Sequence, residues 1–258
     1  MINNLALVQA RMSSKRLPGK VIKKVDGEPL IIFLLKRLLH SKKINQIVLV
    51  TSSDKSDDEL SNIIIENGFK VFRGSLNNVL SRFNDCALIY KAKNIIRITG
   101  DCPLIDPFIV DELVTEFEKG DWDYLTNCSD EFNLSVPDGF DTEVFKSSVL
   151  KMANMNAKLA SEREHVTPWL KTKEANLKWK HYIHKPKRDF FRVTLDYIQD
   201  YKVISSIIKN FNSINKIFTV DDVIEFLKNN PQISEINKSF IRNEGFMNSL
   251  KEDRIVDD

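Results

Sequence analysis

A basic loop near the amino terminus carries the first residues whose types could do chemistry. Four cations, Arg11, Lys15, Arg16 and Lys20, stand among small and turn-forming residues directly after the apolar residues 5–8. Guanidinium groups and backbone N–H groups in such a loop can together neutralise several phosphate oxygens. The loop is therefore a candidate for holding a polyphosphate. The alternative is a solvated basic loop without a ligand.

This loop differs from two common phosphate-binding loops. Aligned on Gly19 and Lys20, a Walker A loop requires glycine where Ser14 stands and serine or threonine where Val21 stands. A dinucleotide-binding fingerprint requires three spaced glycines, and this loop has one. If the loop binds phosphate, it belongs to a third kind.

Two aspartates follow apolar segments farther along the chain. Asp101 comes just after residues 94–98, and Asp196 comes just after residues 190–195. A carboxylate at the end of a strand can help to hold Mg²⁺, which takes one or two carboxylates together with phosphate oxygens and water. For Asp101 the alternative is a carboxylate that caps a turn.

Apolar runs alternate with helical patterns through the first half of the chain. We predict strands at residues 5–8, 46–51, 69–72 and 94–98, and helices at residues 29–39, 59–67, 77–91 and 107–118. This order predicts a three-layer α/β fold with a mostly parallel sheet. Ligands of such sheets bind beyond the carboxyl ends of the strands. The basic loop and the turns after residues 51, 72 and 98 all leave such ends, which favours a nucleotide pocket over scattered loops.

The alternation is interrupted after residue 126. We predict strands at residues 142–145, 177–183 and 190–195, and helices at residues 147–159, 162–171, 199–210 and 220–228. We interpret residues 1–245 as a single domain in which an insertion, about 128–186, covers one side of the pocket. Residues 246–258 are charged, and we expect them to form a mobile tail.

Composition limits the classes of partner. The chain has 258 residues, of which 42% are hydrophobic and 29% charged, with a net charge of +2. So small a net charge gives no general field for nucleic acid. No apolar stretch reaches the roughly 18 residues that a membrane span requires, and the amino terminus does not resemble a signal peptide. The three cysteines are odd in number and lack metal-binding spacing, which is typical of free thiols in the cytoplasm.

The motifs, taken in order, resemble those of a known enzyme family. Residues 9–12 and 16–20 resemble the signature loop of cytidylyltransferases of the CMP-KDO synthetase type, and most closely their spore-coat polysaccharide biosynthesis branch. Residues 99–104 resemble the family's glycine-aspartate-x-proline metal motif, and Asp196 resembles its late aspartate. Residues 72–83 resemble the segment that lines base and ribose, residues 137–143 the acceptor segment, and residues 163–169 the arginine-glutamate-histidine motif. The resemblance extends over roughly residues 4–230.

The resemblance implies a function and a set of residues. It implies a nucleotide-diphospho-sugar transferase fold of the GT-A-like type, with an inserted acceptor and dimerisation segment. It also implies Mg²⁺-dependent transfer of CMP from CTP to a sugar acid or phosphorylated small molecule, with release of pyrophosphate, in polysaccharide or glycoconjugate biosynthesis. The implied catalytic residues are Arg11, Arg16, Lys20, Asp101 and Asp196, of which the two aspartates bind the metal. The implied nucleotide-binding residues are Ala10, Arg11, Ser13, Ser14, Arg16, Lys20, Arg73, Ser75, Arg82, Thr99 and Gly100. The implied acceptor-binding residues are Asp138, Asp141, Glu143, Arg163 and His165.

Two other functions remain as alternatives. A glycosyltransferase can share this kind of sheet and normally uses an Asp-x-Asp metal motif. Residues 121–123 have that spelling, but they precede a predicted strand and so fall on the wrong edge of the sheet. The other alternative is a nucleotide-binding regulatory module without turnover, against which both aspartates and the complete basic loop argue.

The resemblance also suggests a homodimer. The predicted helices at residues 147–171 carry more apolar side chains than one sheet edge needs. We expect these side chains to form a two-fold interface: Val149, Leu150, Met152, Leu159, Trp169 and Leu170.

Overall fold

A seven-stranded sheet organises the computed structural model, which describes residues 2–128, 134–188, 191–214 and 216–256. The strands are β1 (Ile2–Gln9), β2 (Lys24–Val25), β3 (Glu28–Pro29), β4 (Gln46–Ser52), β5 (Lys70–Gly74), β6 (Ala92–Thr99), β7 (Tyr124–Thr126), β8 (Glu143–Lys146) and β9 (Trp179–His181). The sheet has the order β5-β4-β1-β6-β8-β7-β9, and β2 and β3 form a separate small hairpin. Strand β8 runs antiparallel to both of its neighbours, whereas β5, β4, β1 and β6 are parallel. The predicted mostly parallel α/β sheet is confirmed.

Helices cover both faces of this sheet. They are α1 (Leu30–Leu38), α2 (Asp58–Glu66), α3 (Val79–Ile89), α4 (Pro107–Lys119), α5 (Ser147–Asn156), α6 (Ala160–His165), α7 (Ile198–Ser213), α8 (Val220–Asn229), α9 (Pro231–Ser234) and α10 (Glu244–Lys251). Short 3₁₀ helices occupy Lys20–Ile22, Lys55–Asp57, Pro168–Lys171 and Glu235–Asn237. No helix in the described part of the chain is long and apolar enough to cross a membrane.

The alternation of side chains along β1 builds the three layers. Ala6 and Val8 lie in one apolar cluster with residues of α1, α2 and α4. Leu5 and Leu7 point to the opposite face and lie in a second cluster with residues of α3 and α5. Successive side chains of a strand point to opposite faces, so an apolar run buried on both sides is what this position requires.

A third apolar cluster lies beyond the sheet and contains residues that we predicted to form a strand. Residues 191–195 do not form a strand of the sheet; Arg192 makes one isolated bridge with Asp138. Their apolar side chains, Val193 and Leu195, pack instead among residues of α7 and α8. The prediction was wrong because alternating apolar residues also suit an extended segment packed against helices. Phe190 lies outside the described residues.

The predicted helix at residues 162–171 is divided in two. Helix α6 ends at His165, and the next residue, Val166, has φ 69°. A 3₁₀ helix then begins at Pro168. Proline cannot continue the hydrogen bonding of a helix, which accounts for the break.

The charged carboxyl-terminal segment has a defined place in the fold. It forms α10 and then returns along α6. There Ala160 N donates to Arg254 O (2.9 Å) and Val256 N donates to Lys158 O (2.9 Å). The hydroxyl of Ser161 donates to the Asp253 carboxylate at 2.6 Å. The segment that we expected to be mobile is therefore docked beside the start of α6.

The side chains that we expected at a dimer interface are mostly part of the core. Val149, Leu150, Trp169 and Leu170 are buried in the second apolar cluster, because α5 and the following 3₁₀ helix cover one face of the sheet. The expectation was wrong for these four. Met152 and Leu159 remain exposed.

Candidate active site

Four polar loops converge on one edge of the sheet, as we predicted. They follow β1, β4, β5 and β6, whose carboxyl ends lie together because the four strands are parallel. Two hydrogen bonds join neighbouring loops: Gly100 N donates to Gln9 O at 2.7 Å, and Met12 N donates to the Asp57 carboxylate at 2.7 Å. The loops therefore form one continuous surface.

The basic loop is folded tightly enough to bring its last cation into the protein. Gly19 has φ 64°, a left-handed conformation that favours glycine, and its N–H donates to Met12 O at 3.1 Å. A 3₁₀ helix starts at Lys20, and this side chain is buried. The turn thus directs the Lys20 ammonium towards the ends of the strands.

Lys20 joins the two aspartates on which the metal prediction depends. Its Nζ lies 3.0 Å from Asp101 Oδ2 and 2.9 Å from Asp196 Oδ1. A backbone hydrogen bond from Leu195 N to Asp101 O, 2.7 Å long, holds the two segments together. The aspartates, far apart in sequence, are therefore neighbours in the fold.

The charges at this point support one another. Burial raises the pKa of Asp101, but the charge of the Lys20 ammonium and hydrogen bonds from Lys20 and Thr99 together lower it to about 2. Burial lowers the pKa of Lys20, but Asp101 and Asp196 raise it above its ordinary value. Asp101 is consequently ionised and Lys20 protonated at neutral pH.

Two arginines complete the surroundings of Asp196. Arg16 donates to Asp196 Oδ1 at 2.6 Å and to Glu244 Oε2 at 3.1 Å. Arg192 donates to Asp196 Oδ2 at 3.1 Å and holds Asp200 with two bonds, of 2.9 and 3.1 Å. Such two-pronged contacts fix orientation as well as charge.

The predicted acceptor motif lies beside this cluster. Arg192 also donates to Asp138 Oδ2 at 3.2 Å. Arg242 donates to Asp138 Oδ1 and to both oxygens of Asp141, each at 3.1 Å. Gly139, between the two aspartates, passes so close to residues 193–194 that a β-carbon would lie 2.7 Å from the Val193 carbonyl carbon.

The carboxyl groups of this motif are less acidic than usual. Burial, and then the charge of Asp141, raise the pKa of Asp138 to about 7, although Arg242 and Arg192 oppose the change. Burial also raises the pKa of Asp141. These two groups therefore accept a proton more readily than Asp101 does.

Glu143 and His165 also line the pocket. Glu143 is buried, forms an ion pair with Arg97, and accepts from the Thr167 hydroxyl at 2.8 Å. His165 Nε2 lies 2.8 Å from Ser249 Oγ, and its ring meets the Phe246 ring edge-on at 5.0 Å between centroids. Burial lowers the pKa of His165 to about 4.

The converging groups enclose a cavity of about 240 Å³. Eight of the sequence-predicted residues line it: Arg16, Thr99, Asp101, Asp138, Asp141, Glu143, His165 and Asp196. Lys20 contacts two of these lining residues, Asp101 and Asp196. The nucleotide side and the acceptor side of the prediction thus meet in one pocket.

Other predicted nucleotide-binding residues lie outside the lining of this cavity. Arg11 is exposed and pairs with Glu164 at 3.1 Å, and Ser13 is exposed. Ser14 Oγ accepts from Leu17 N at 3.3 Å. Ala10 is buried and packs where a β-carbon on Gly100 would collide with it, at 2.8 Å. Ala10 and Gly100 therefore bring the backbones of β1 and β6 close together.

Arg73 and Arg82 organise neighbouring loops. Arg73 donates to Ser52 O at 2.9 Å and Asp54 O at 2.8 Å. Arg82 is 1% exposed and donates to Ser75 O at 3.0 Å. The buried guanidinium of Arg82 therefore supports the loop that contains Ser75.

Arg163 lies away from the cavity. Its guanidinium donates to Asn154 O at 3.1 Å, and its side chain is buried. It joins α6 to the end of α5, so its visible role is structural.

The Asp-x-Asp spelling at residues 121–123 lies at the start of β7, on the edge opposite the cavity. Asp123 pairs with Lys146 at 2.8 Å and accepts from Lys178 N at 3.0 Å. These contacts tie strands together. They give no support to a glycosyltransferase metal site.

Sequence reasoning missed three arginines, Arg97, Arg192 and Arg242. Arg192 stands four residues before Asp196 and could have been found as its partner. Arg97 is a charged residue among the apolar residues 95–98, which is a weaker signal of a functional side chain. No pattern in the sequence pointed to Arg242, because its contacts with Asp138 and Asp141 depend on the docking of the carboxyl-terminal segment.

The fold and the site belong to the α/β nucleotidyltransferase class. The sheet is mostly parallel, and its carboxyl edge carries a basic loop and two neighbouring aspartates. A family model described as Cytidylyltransferase matches residues 5–240. The spore coat polysaccharide biosynthesis protein SpsF of Bacillus subtilis is 32% identical over 88% of this chain and 95% of that protein. The chain belongs to the cytidylyltransferase family and is an enzyme of that family.

Solved structures agree with the fold. A cytidylyltransferase from Leptospira borgpetersenii superposes with a TM-score of 0.85 at 36% identity, covering 94% of this chain and all of that one. The CMP:2-keto-3-deoxy-manno-octonic acid synthetase complexed with CTP superposes with a TM-score of 0.62 at 14% identity, covering 81% of this chain and 99% of that one. The second likeness concerns the fold alone.

Proposed function

We propose that the protein transfers CMP from CTP to a sugar-type acceptor and releases pyrophosphate. The observation that carries the proposal is the cluster in which Lys20 bridges Asp101 and Asp196, with Arg16 beside it. It stands at the edge of the sheet where ligands bind. The likeness to SpsF supports a place in polysaccharide or glycoconjugate biosynthesis.

The chain's own residues would act by alignment and charge. Arg16 and Lys20 neutralise phosphate oxygens of the nucleotide and hold the triphosphate in line with the acceptor. An oxygen of the acceptor then forms a bond to the α-phosphorus, and the bond to the leaving pyrophosphate breaks. Where that oxygen belongs to a hydroxyl group, its proton passes to water. Phosphoryl transfers of this kind depend on positioning and electrostatic stabilisation more than on covalent help.

Asp101 and Asp196 are the residues that would hold a resident Mg²⁺. Among the described residues no group of three or more histidine, cysteine, aspartate or glutamate side chains is arranged to hold a metal ion. Two carboxylates are nevertheless enough for Mg²⁺, which completes its shell with phosphate oxygens and water. The Lys20 ammonium already neutralises part of the charge of Asp101 and Asp196, so the negative charge of the triphosphate is what would attract a second cation. Bound there, Mg²⁺ would neutralise charge on the transferred phosphate.

The acceptor is proposed to be a sugar acid or a phosphorylated small molecule. The cavity is also lined by Arg97 and Lys171, together with Asp138 and Asp141. Cations suit an anionic group of the acceptor, and the carboxylates suit its hydroxyl groups. An acceptor that carries both is therefore favoured.

The setting of the reaction is part of the proposal. Cys86, Cys102 and Cys128 are all free thiols, which supports a reducing cytoplasm. Met155, Leu159 and Ile255 leave apolar surface exposed near α5, which supports a homodimer.

The experiment that tests the function has two steps. Thermal unfolding is measured with Mg²⁺ and CTP, ATP or GTP. A ligand at a hundredfold excess over its Kd adds about 2.7 kcal/mol of stability, and we expect CTP to raise the melting temperature most. Pyrophosphate release is then measured with CTP and a panel of sugar acids and sugar phosphates. Equal stabilisation by ATP or GTP would contradict the cytidine assignment, and absence of pyrophosphate with every acceptor would contradict the transfer.

A further inference from the structure

An unbroken series of ion pairs connects the nucleotide side of the cavity with the carboxyl-terminal segment. Each member contacts the next at 2.9–3.2 Å. In order they are Lys20, Asp196, Arg192, Asp138, Arg242 and Asp141. The series alternates in charge, and Arg242 is its last cation.

Arg242 contacts two carboxylates, Asp138 and Asp141, whose surroundings differ. Both oxygens of Asp138 are occupied by guanidinium groups, Oδ1 by Arg242 and Oδ2 by Arg192, and the Asp138 side chain is 5% exposed. One nitrogen of Arg242 donates to both oxygens of Asp141, and Asp141 lines the cavity and keeps 24% of its side chain exposed. A carboxylate has about four lone-pair positions, so Asp141 can still accept hydrogen bonds from a bound molecule.

Arg242 belongs to the carboxyl-terminal segment of the chain. The family match ends at residue 240, yet the next residues reach the cavity, where Glu244, Gly245 and Phe246 form part of the wall. This side of the pocket therefore depends on the carboxyl-terminal segment, and Arg242 ties that segment to Asp138 and Asp141. Selection among acceptors is a function that such a segment fits.

We propose, building on the proposed function, that Arg242 is a positioning residue that determines which acceptor is taken. Its guanidinium holds Asp141 with free lone pairs towards the cavity, where they accept hydrogen bonds from hydroxyl groups of a sugar-type acceptor. Without the guanidinium, two buried carboxylates lie together with less compensation, and Asp141 turns away or takes a proton. A protonated carboxyl group loses acceptor capacity.

The experiment compares Arg242→Gln and Arg242→Lys with Arg254→Gln, which removes an exposed arginine of the same segment. Initial rates of pyrophosphate release are measured with CTP and each acceptor of the panel, which includes 2-keto-3-deoxy-manno-octonic acid. We expect Arg242→Gln to raise the KM for the acceptor about tenfold or more, since a hydroxyl-binding site that loses its geometry discriminates poorly. The KM for CTP should stay within about twofold of wild type. Arg242→Lys, which keeps the charge but not the fork, should fall between Arg242→Gln and wild type, and Arg254→Gln should match wild type.

Several results would overturn the proposal. One is a loss confined to kcat with both KM values unchanged, and another is an equal rise in the KM for CTP. If Arg242→Gln does not fold, Asp141→Asn serves in its place, and a wild-type acceptor KM in that variant contradicts the assignment. A wild-type enzyme that releases no pyrophosphate with any acceptor defeats the proposed function first, and the role of Arg242 with it.

Discussion

At the scale of single residues, the shared ammonium of Lys20 makes Asp101 and Asp196 act as one unit. Asp101→Asn and Asp196→Asn keep the shape of each side chain and remove its charge. We expect each to lower the rate of pyrophosphate release by about 10²- to 10⁴-fold, because charge alignment supplies several kcal/mol of the lowered barrier. The double variant should be little worse than either single one, since both groups serve one site.

The control for these variants is Asp85→Asn, at an exposed position of α3, which should retain wild-type rates. Melting temperatures of all variants separate a lost charge from a lost fold. Nearly wild-type turnover in Asp196→Asn would remove this residue from the mechanism.

A substitution at Gly139 tests how closely the backbone of residues 137–143 must approach residues 193–194. It has φ 116°, and a β-carbon would lie 2.7–2.8 Å from three backbone atoms. Gly139→Ala should therefore destabilise the protein by about 2–5 kcal/mol, from backbone strain together with overpacking. Gly68→Ala is the matched control, since its φ is also positive, at 80°, but nothing lies within 4 Å of the added carbon; it should cost about 1–2 kcal/mol. Equal losses in urea unfolding would contradict the close approach.

His165 should give the protein a measurable dependence on pH. Burial lowers its pKa to about 4, below the ordinary value of about 6.5. Between these values the unfolded chain binds the proton more readily than the folded one, so the free energy of unfolding falls as the pH falls from about 6.5 to about 4. The loss should be about 1–3 kcal/mol.

The check is to subtract the unfolding free energy of His165→Asn from that of wild type at several pH values. The difference should shrink below pH 6.5, because the variant lacks the group that takes up the proton. A constant difference would show that His165 does not carry the effect.

At the scale of elements, the parallel part of the sheet could be predicted and its surroundings could not. Strands such as β1 and β4 are continuous apolar runs, because both of their faces are covered. The segment at residues 191–195 has a similar pattern, yet it packs on α7 and α8, which periodicity alone cannot distinguish. The docking of α10 was also missed, because it depends on contacts such as that of Glu244 with Arg16, which no local pattern reveals.

Helix α10 leads to a prediction about nucleotide affinity. Its first residue, Glu244, holds one nitrogen of Arg16 at 3.1 Å and also accepts from the Tyr197 hydroxyl. A triphosphate that uses Arg16 must displace this carboxylate. Glu244→Gln should therefore tighten CTP binding by about twofold to fivefold, the range expected for a partly exposed ion pair.

Isothermal titration calorimetry with CTP and Mg²⁺ measures this effect. Glu252→Gln, an exposed change just after α10, should leave the Kd unchanged. Weaker binding in Glu244→Gln would mean that Glu244 supports the nucleotide site rather than competing for it.

At the scale of the whole molecule, the unused apolar surface lies around α5 and the end of the chain. Met152 and Met155 lie three residues apart on α5, so they share a face, and Leu159 pairs with Ile255 in an isolated bridge. Their exposed fractions are 38%, 63%, 37% and 72%. We therefore expect the interface at these exposed side chains and not at the buried residues that we first assigned to it. The carboxyl-terminal segment contributes to this surface through Ile255.

This surface should join two copies about a two-fold axis. Light scattering at micromolar concentration should give twice the chain mass of 29.8 kDa. Met155→Lys and Ile255→Lys place a charge in the contact, where an unpaired buried charge is costly, and each should yield monomers that still bind CTP. Ile65→Lys, at an exposed position on α2, should leave the mass doubled. A wild-type monomer would contradict the dimer, and dimers in both lysine variants would place the interface on another surface.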